Sequence, residues 1–160
     1  QAAIPQMKIF ENVALNNFKS SNFFNNGLIN EKKIKEHSQK ILSDFSVNTN
    51  NVELKSQFLS GGNLQKLIIG RELITSPELL ICFNPTWGLD VGAINYIHET
   101  LIKINEQKKS IILISTDTDE LLKLCDKICV IFKGKLSNIM NAEEVTSEKL
   151  GILMGGGEIV

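Results

Sequence analysis

Leu59-Ser60-Gly61-Gly62-Asn63-Leu64-Gln65-Lys66 is the stretch whose residue types could do chemistry. Two adjacent glycines let backbone amides approach a ligand without interference from a Cβ. Ser60 stands where a helix N-cap belongs, and Leu64, Leu67, Ile68 and Leu73 follow at helical spacing. A helix entered through Ser-Gly-Gly offers unbonded N–H groups, a hydroxyl and the positive end of a dipole. That combination suits an anion, best of all a phosphate. A Ser-Gly-Gly turn is also an ordinary helix start, and for the three residues in isolation that reading prevails.

The elements that must position this stretch can be read from periodicity. A helix is expected from Glu31 to about Phe45, with Ile34, Ile41, Leu42 and Phe45 on one face. Between Asn16 and Asn30 the Asn- and Ser-rich sequence predicts a long loop docked by Phe18, Phe23 and Phe24. After Pro77 three apolar runs read as strands: Leu79–Phe83, Ile111–Ser115 and Ile128–Phe132. Helical patterns at Val91–Gln107 and Asp119–Leu124 separate them, which argues for an α/β fold with a parallel sheet. Gly134 predicts a turn into a hairpin strand over Lys135–Met140, followed by short helices at Ala142–Val145 and Ser147–Met154.

Composition narrows the classes. The chain has 160 residues, 42% hydrophobic and 22% charged, enough for one or two small cores. Its 17 basic and 18 acidic residues nearly cancel, and no basic stripe is interleaved with aromatics, so a nucleic-acid partner is not expected. No apolar run approaches the roughly 20 residues that span a bilayer, and no secretory leader is read. Three cysteines without metal-type spacing, Cys82, Cys125 and Cys129, are expected as buried reduced thiols. His37 and His98 fall on predicted helices, away from the strand ends, and are expected half-buried.

The full string Leu59–Lys66, its helix and the strand Leu79–Phe83 together resemble the signature motif of ATP-binding cassette (ABC) ATPases. Phe10-Glu11-Asn12-Val13 is similar to a short helix of that family, whereas Gln6 is read as a surface residue. Pro85-Thr86-Trp87-Gly88-Leu89-Asp90-Val91-Gly92-Ala93 resembles the D-loop segment of sugar and nucleoside importers, with Gly88, Leu89 and Asp90 as the D-loop residues and Trp87 in place of an arginine. The family carries an aspartate and a glutamate where this chain has Phe83 and Asn84, and a switch histidine where it has Thr116. Phenylalanine cannot hold a hydrated cation, an amide is not a base, and threonine cannot supply a cation. The phosphate-binding motif G-x-x-x-x-G-K-S/T is absent, and Gly155-Gly156-Gly157 cannot replace it.

The resemblance implies the later part of a cassette: a helical signature subdomain over residues 1–76 and the C-terminal part of a RecA-like ATPase core over 77–160. In the family's sheet the strand that carries the phosphate-binding loop lies between the strand ending at Ser115 and the strand around Ile128–Phe132, and that strand would be missing here. Gly92–His98 and Thr146–Met154 are similar to runs of nucleoside-type importers, which pair two cassettes in one polypeptide. The resemblance thus implies the second, degenerate cassette of a nucleoside, ribose or galactose importer. No catalytic residue would be intact, and the chain alone would be inactive. Ser60, Gly61, Gly62, Asn63 and Gln65 would complete the ATP site of an intact partner cassette, with ATP and Mg2+ bound only in the assembled pair. Membrane permease subunits would be further partners, placing the protein on the cytoplasmic face of the membrane. A structural partner fragment without enzymatic work, and a nucleic-acid-linked ABC ATPase of repair or translation, are the alternatives.

Overall fold

A computed structural model describes residues 3–15, 23–25 and 28–157. They fall into two compact units, Gln1–Glu78 with Gly88–Ile97, and Leu79–Trp87 with His98–Val160. Each is built by a different packing logic.

The first unit is largely helical. It holds α1 (Ile9–Leu15), a two-residue antiparallel pair of β1 (Phe24–Asn25) and β2 (Leu28–Ile29), α2 (Glu31–Asp44) and α3 (Gly61–Leu73). It also takes the first turns of α4 (Val91–Glu106). Asn30 starts α2 by accepting the Lys33 amide, as a short polar side chain does at an N-cap. The expected apolar face is the one buried: Ile41 and Leu42 join Ile9, Val13, Val47 and Leu67 in one core, with Phe45 packed against it. Each such side chain taken fully out of water contributes roughly 1.5–3 kcal/mol. Ile34 packs in a second cluster with Phe10 and Phe23, so Phe23 docks as its loop predicts. Phe18 lies outside the described residues. Gly70 is buried where α2 meets α3, and a Cβ there would stand 2.6 Å from Ile41 Cγ2 and 2.7 Å from Phe45 Cδ2.

The second unit carries the parallel pair of β3 (Leu79–Phe83) and β4 (Ser110–Ile114), in register from Leu79 opposite Ser110 to Phe83 opposite Ile114. Among the described residues β4 has no other strand neighbour. Alternation along β3 turns Leu80 and Cys82 inward and leaves Leu79, Ile81 and Phe83 exposed. After α5 (Thr118–Leu124) the expected single strand over Ile128–Phe132 is divided into β5 (Lys127–Ile128) and β6 (Ile131–Phe132). The reason is a change of partner: β5 pairs with β8 (Met140–Asn141), while β6 pairs with β7 (Lys135–Leu136). Between them Ser137 engages Val130 twice, its Oγ accepting the Val130 amide at 2.9 Å and its own amide donating to the Val130 carbonyl at 2.8 Å. The predicted strand Lys135–Met140 is divided for the same reason. Lys133 and Gly134, both at positive φ, make the tight turn between β6 and β7. Ala142–Glu144 is a single 3-10 turn, and α6 (Ser147–Met154) opens on a Thr146 cap as its sequence predicts. Ile128, Val130, Val145 and Leu150 form the core here. No helix among the described residues is long and apolar enough to cross a membrane.

Candidate functional site

The Ser60 stretch forms the N-terminus of α3. Ser60 has extended backbone angles and its Oγ accepts the Asn63 amide at 3.4 Å and the Asn63 side-chain Nδ2 at 2.9 Å. With both acceptor positions of the hydroxyl occupied, its proton is left to donate outward. Asn63 Oδ1 in turn accepts the Asn48 amide at 2.8 Å. It therefore holds Ser60 and the Val47–Asn48 turn in one arrangement. Ser60 and Gly61 are exposed, and Gln65 is half-buried on the same helix.

The glycines answer a packing demand as well. A Cβ on Gly62 would lie 2.9 Å from the Ala93 Cβ, and one on Gly61 would lie 3.4 Å from Leu89 Cδ2. The Gly88–Ala93 segment is thus close against the start of α3. Gly88 sits at φ +72°, a left-handed turn that glycine adopts without strain. Asp90 Oδ1 accepts the Ala93 amide at 2.9 Å, which makes Asp90 the cap of α4.

The approach to Ser60 is fixed from below by a buried polar hub that periodicity does not reveal. Residues 4–10 run alongside residues 52–57, with Ile9 and Phe10 amides bonded to the Leu54 and Val52 carbonyls, and Ser56 and Gln57 amides to those of Met7 and Pro5. Asn12, 1% exposed, lies at the centre. Its Oδ1 accepts the Ile4 amide at 2.8 Å, and its Nδ2 faces the carbonyls of Ile4 and Met7 and the Ser56 hydroxyl. Arg71, on α3 and buried, donates to the Asn12 carbonyl at 3.2 Å and is paired with Glu72 at 2.7 Å.

In the second unit, Phe83 is 73% exposed at the end of β3. Asn84 follows at φ +42°, its amide bonded to the Ile114 carbonyl at 2.7 Å and its Oδ1 accepting the Thr116 amide at 3.2 Å. The side chain that stands at the strand end is therefore occupied in joining β3 to the turn after β4. His98 departs from expectation. It is buried rather than half-buried, and its Nε2 lies 3.1 Å from Glu120 Oε1 on the first turns of α5. Thr86 Oγ1 donates to the same oxygen at 2.7 Å. Helical spacing places His98 on the inner face of α4 but says nothing of a carboxylate 22 residues later. His37 is half-buried as expected and meets Phe23 edge to face, and desolvation followed by the nearby Lys40 charge lowers its pKa.

No protein-family model matches the chain. Curated relatives do. The nucleoside import ATP-binding protein of Lactococcus lactis is 40% identical over 96% of this chain. The guanosine import ATP-binding protein of Bacillus subtilis is 36% identical over 92%, and the ribose import ATP-binding protein of Oceanobacillus iheyensis 36% over 98%. Among solved structures, an ATP-binding cassette in a dimeric post-hydrolysis state with ADP and Pi superposes with a TM-score of 0.70 at 23% identity, over 88% of this chain. An inward-facing metal-chelate type ABC transporter superposes at 0.74 and 18% identity, over 94%. The chain belongs to the ABC ATPases. It spans 30%, 29% and 31% of the length of those three relatives, and 59% of each of the two structures.

Within an ABC ATPase the two groups ATP and Mg2+ can be tested against the residues present. The start of α3, with its Ser60 cap and two glycines in its first turn, has the donor types that suit a phosphate. A hydrated cation does not fit the end of β3, where Phe83 offers no oxygen and the Asn84 Oδ1 is already bonded. Among the described residues no three His, Cys, Asp or Glu side chains gather as metal ligands.

All three thiols are free, but they are not all buried. Cys82 is buried in β3, and burial together with the Glu120 charge pushes its pKa up to about 11. Cys125 is half-buried and also raised, by burial first and then by Asp126 and Glu120. Cys129 is exposed, because it stands at the junction where the strand changes partner. In a native thiol-labelling time course at pH 8, Cys129 should react first and Cys82 at least about a hundredfold more slowly, since buried thiol and scarce thiolate act together. Equal rates would show that β3 opens readily.

Proposed function

We propose that the chain is part of the ATP-binding subunit of an importer for nucleosides, or else for a simple sugar such as ribose or galactose. In this reading Ser60, Gly61 and Gly62 close on the γ-phosphate of an ATP whose other end is held by an intact partner cassette in the same polypeptide. Asn63 serves by orienting Ser60, and Gln65 is a supporting polar group. Gly88, Leu89 and Asp90 lie beside the same helix start and face the partner. The chain's own position, with Phe83, Asn84 and Thr116, does no hydrolysis. Mg2+ is carried by the phosphates and the partner's residues. The assembly works on the inner face of the membrane through permease subunits.

The observation that carries the reading is the exposed Ser60 hydroxyl, with both acceptor sites filled, at the open start of α3. The relatives' import functions support the substrate class. The test is uptake of labelled nucleoside by cells carrying Ser60→Ala in the native polypeptide. Loss of one hydrogen bond to a charged group should lower ATP-driven uptake by at least about tenfold. Normal uptake would sink the reading.

A further inference from the structure

The turn between β3 and α4 is held to the β4–α5 junction at two points. Asn84 Oδ1 takes the Thr116 amide at one end, and Thr86 Oγ1 donates to Glu120 Oε1 at 2.7 Å at the other. Glu120 is itself anchored. Its amide bonds to Asp117 Oδ1 at 3.1 Å, and the Asp117 amide bonds to Ser115 Oγ at 3.1 Å. A carboxylate only 3% exposed is costly unless polar groups meet it, and here Thr86 donates to Oε1 while His98 Nε2 lies 3.1 Å from the same oxygen. Immediately after Thr86 stands Trp87, 75% exposed, its amide closing the turn on the Asn84 carbonyl at 3.3 Å. Thr86, half-buried, thus ties the residue before an exposed indole to a buried carboxylate and a buried histidine.

We infer that Glu120 is a positioning residue for the Asn84–Trp87 turn, acting through the Thr86 hydroxyl to fix the direction in which Trp87 is presented. His98 Nε2 stands 3.1 Å from the same carboxylate oxygen. Removing the Thr86–Glu120 bond leaves the turn pinned at Asn84 alone and free to swing about it. That this turn meets another cassette rests on the reading proposed above; the placing of Trp87 by Glu120 does not.

The test is fluorine NMR of the native polypeptide labelled with fluorotryptophan, without nucleotide or permease. The Trp87 resonance is assigned by its loss in Trp87→Phe. Thr86→Val keeps the shape and removes the hydroxyl, so the resonance should move by more than its linewidth or broaden. Thr86→Ser keeps the hydroxyl and should return it to the native position. Glu120→Ala should reproduce the Val result; should it fail to fold, the Val and Ser pair decides the matter. An unmoved resonance in Thr86→Val overturns the inference. So does a Ser variant as perturbed as the Val variant, since a methyl contact and not the hydroxyl would then hold the turn. A failed Ser60→Ala uptake test would remove the importer reading and leave this result standing, and the converse also holds.

Discussion

Gly70→Val should unfold the helical unit more readily than any surface change, lowering its stability by about 3 kcal/mol or more. The cause is the close approach of α2 to α3. Even a single added carbon would sit 2.6 Å from Ile41 Cγ2, 2.7 Å from Phe45 Cδ2 and 3.0 Å from Phe45 Cγ. Ile41 cannot retreat easily, because it is 3% exposed and packs with Leu42, Val47 and Leu67, and the half-buried Phe45 ring is packed against the same core. Gly70→Ala should cost less, since alanine gains about 1 kcal/mol of helix propensity over glycine against the same clash. Denaturant titration of both variants checks the order. Adding Phe45→Leu to Gly70→Ala should recover part of the loss, as coupled neighbours do. Additive behaviour, or a Val variant within about 0.5 kcal/mol of native, would contradict the packing described.

Asn12→Leu is the second large effect expected. Leucine repeats the branching of asparagine at a larger volume and gives nothing to the Ile4 amide, while the Ser56 hydroxyl keeps its bond to the Ile4 carbonyl at 2.9 Å. The Ile4 amide left unsatisfied at a site 1% exposed and the extra volume of leucine should together cost about 3 kcal/mol. Because Ser56 leads directly into Leu59 and Ser60, the loss should be accompanied by faster amide exchange over residues 52–60. Asn12→Asp keeps the acceptor for Ile4 but places a charge among carbonyls, so it should not rescue. Exchange unchanged at Ser56 and Leu59 in the Leu variant would mean that the hub does not hold the approach to α3.

The contrast between these sites and Ser60 shows what a sequence displays. Ser60 as a cap, β3 over Leu79–Phe83 and α6 over Ser147–Met154 were legible because each depends on neighbours within a few residues. A cap needs only its own first turn, and alternation needs only its own strand. Asn12 with Ser56 and Thr86 with Glu120 are pairs 44 and 34 residues apart, and nothing in local periodicity couples them. The same limit explains the division of Ile128–Phe132. Its apolar run is continuous, but which strand it pairs with changes midway, and pairing is a tertiary choice. Gly70 and Gly62 look like mere weak points in a helix until the residues facing them are known.

Asn84 has a consequence for how this chain can change over time. Its left-handed backbone suits asparagine, and its side chain accepts the Thr116 amide. A glutamate introduced there alone would lose that bond and occupy a conformation that costs most residues about 1–2 kcal/mol. A carboxylate at this position would therefore be tolerated only if the turn and the end of β4 changed with it, so the two segments constrain one another.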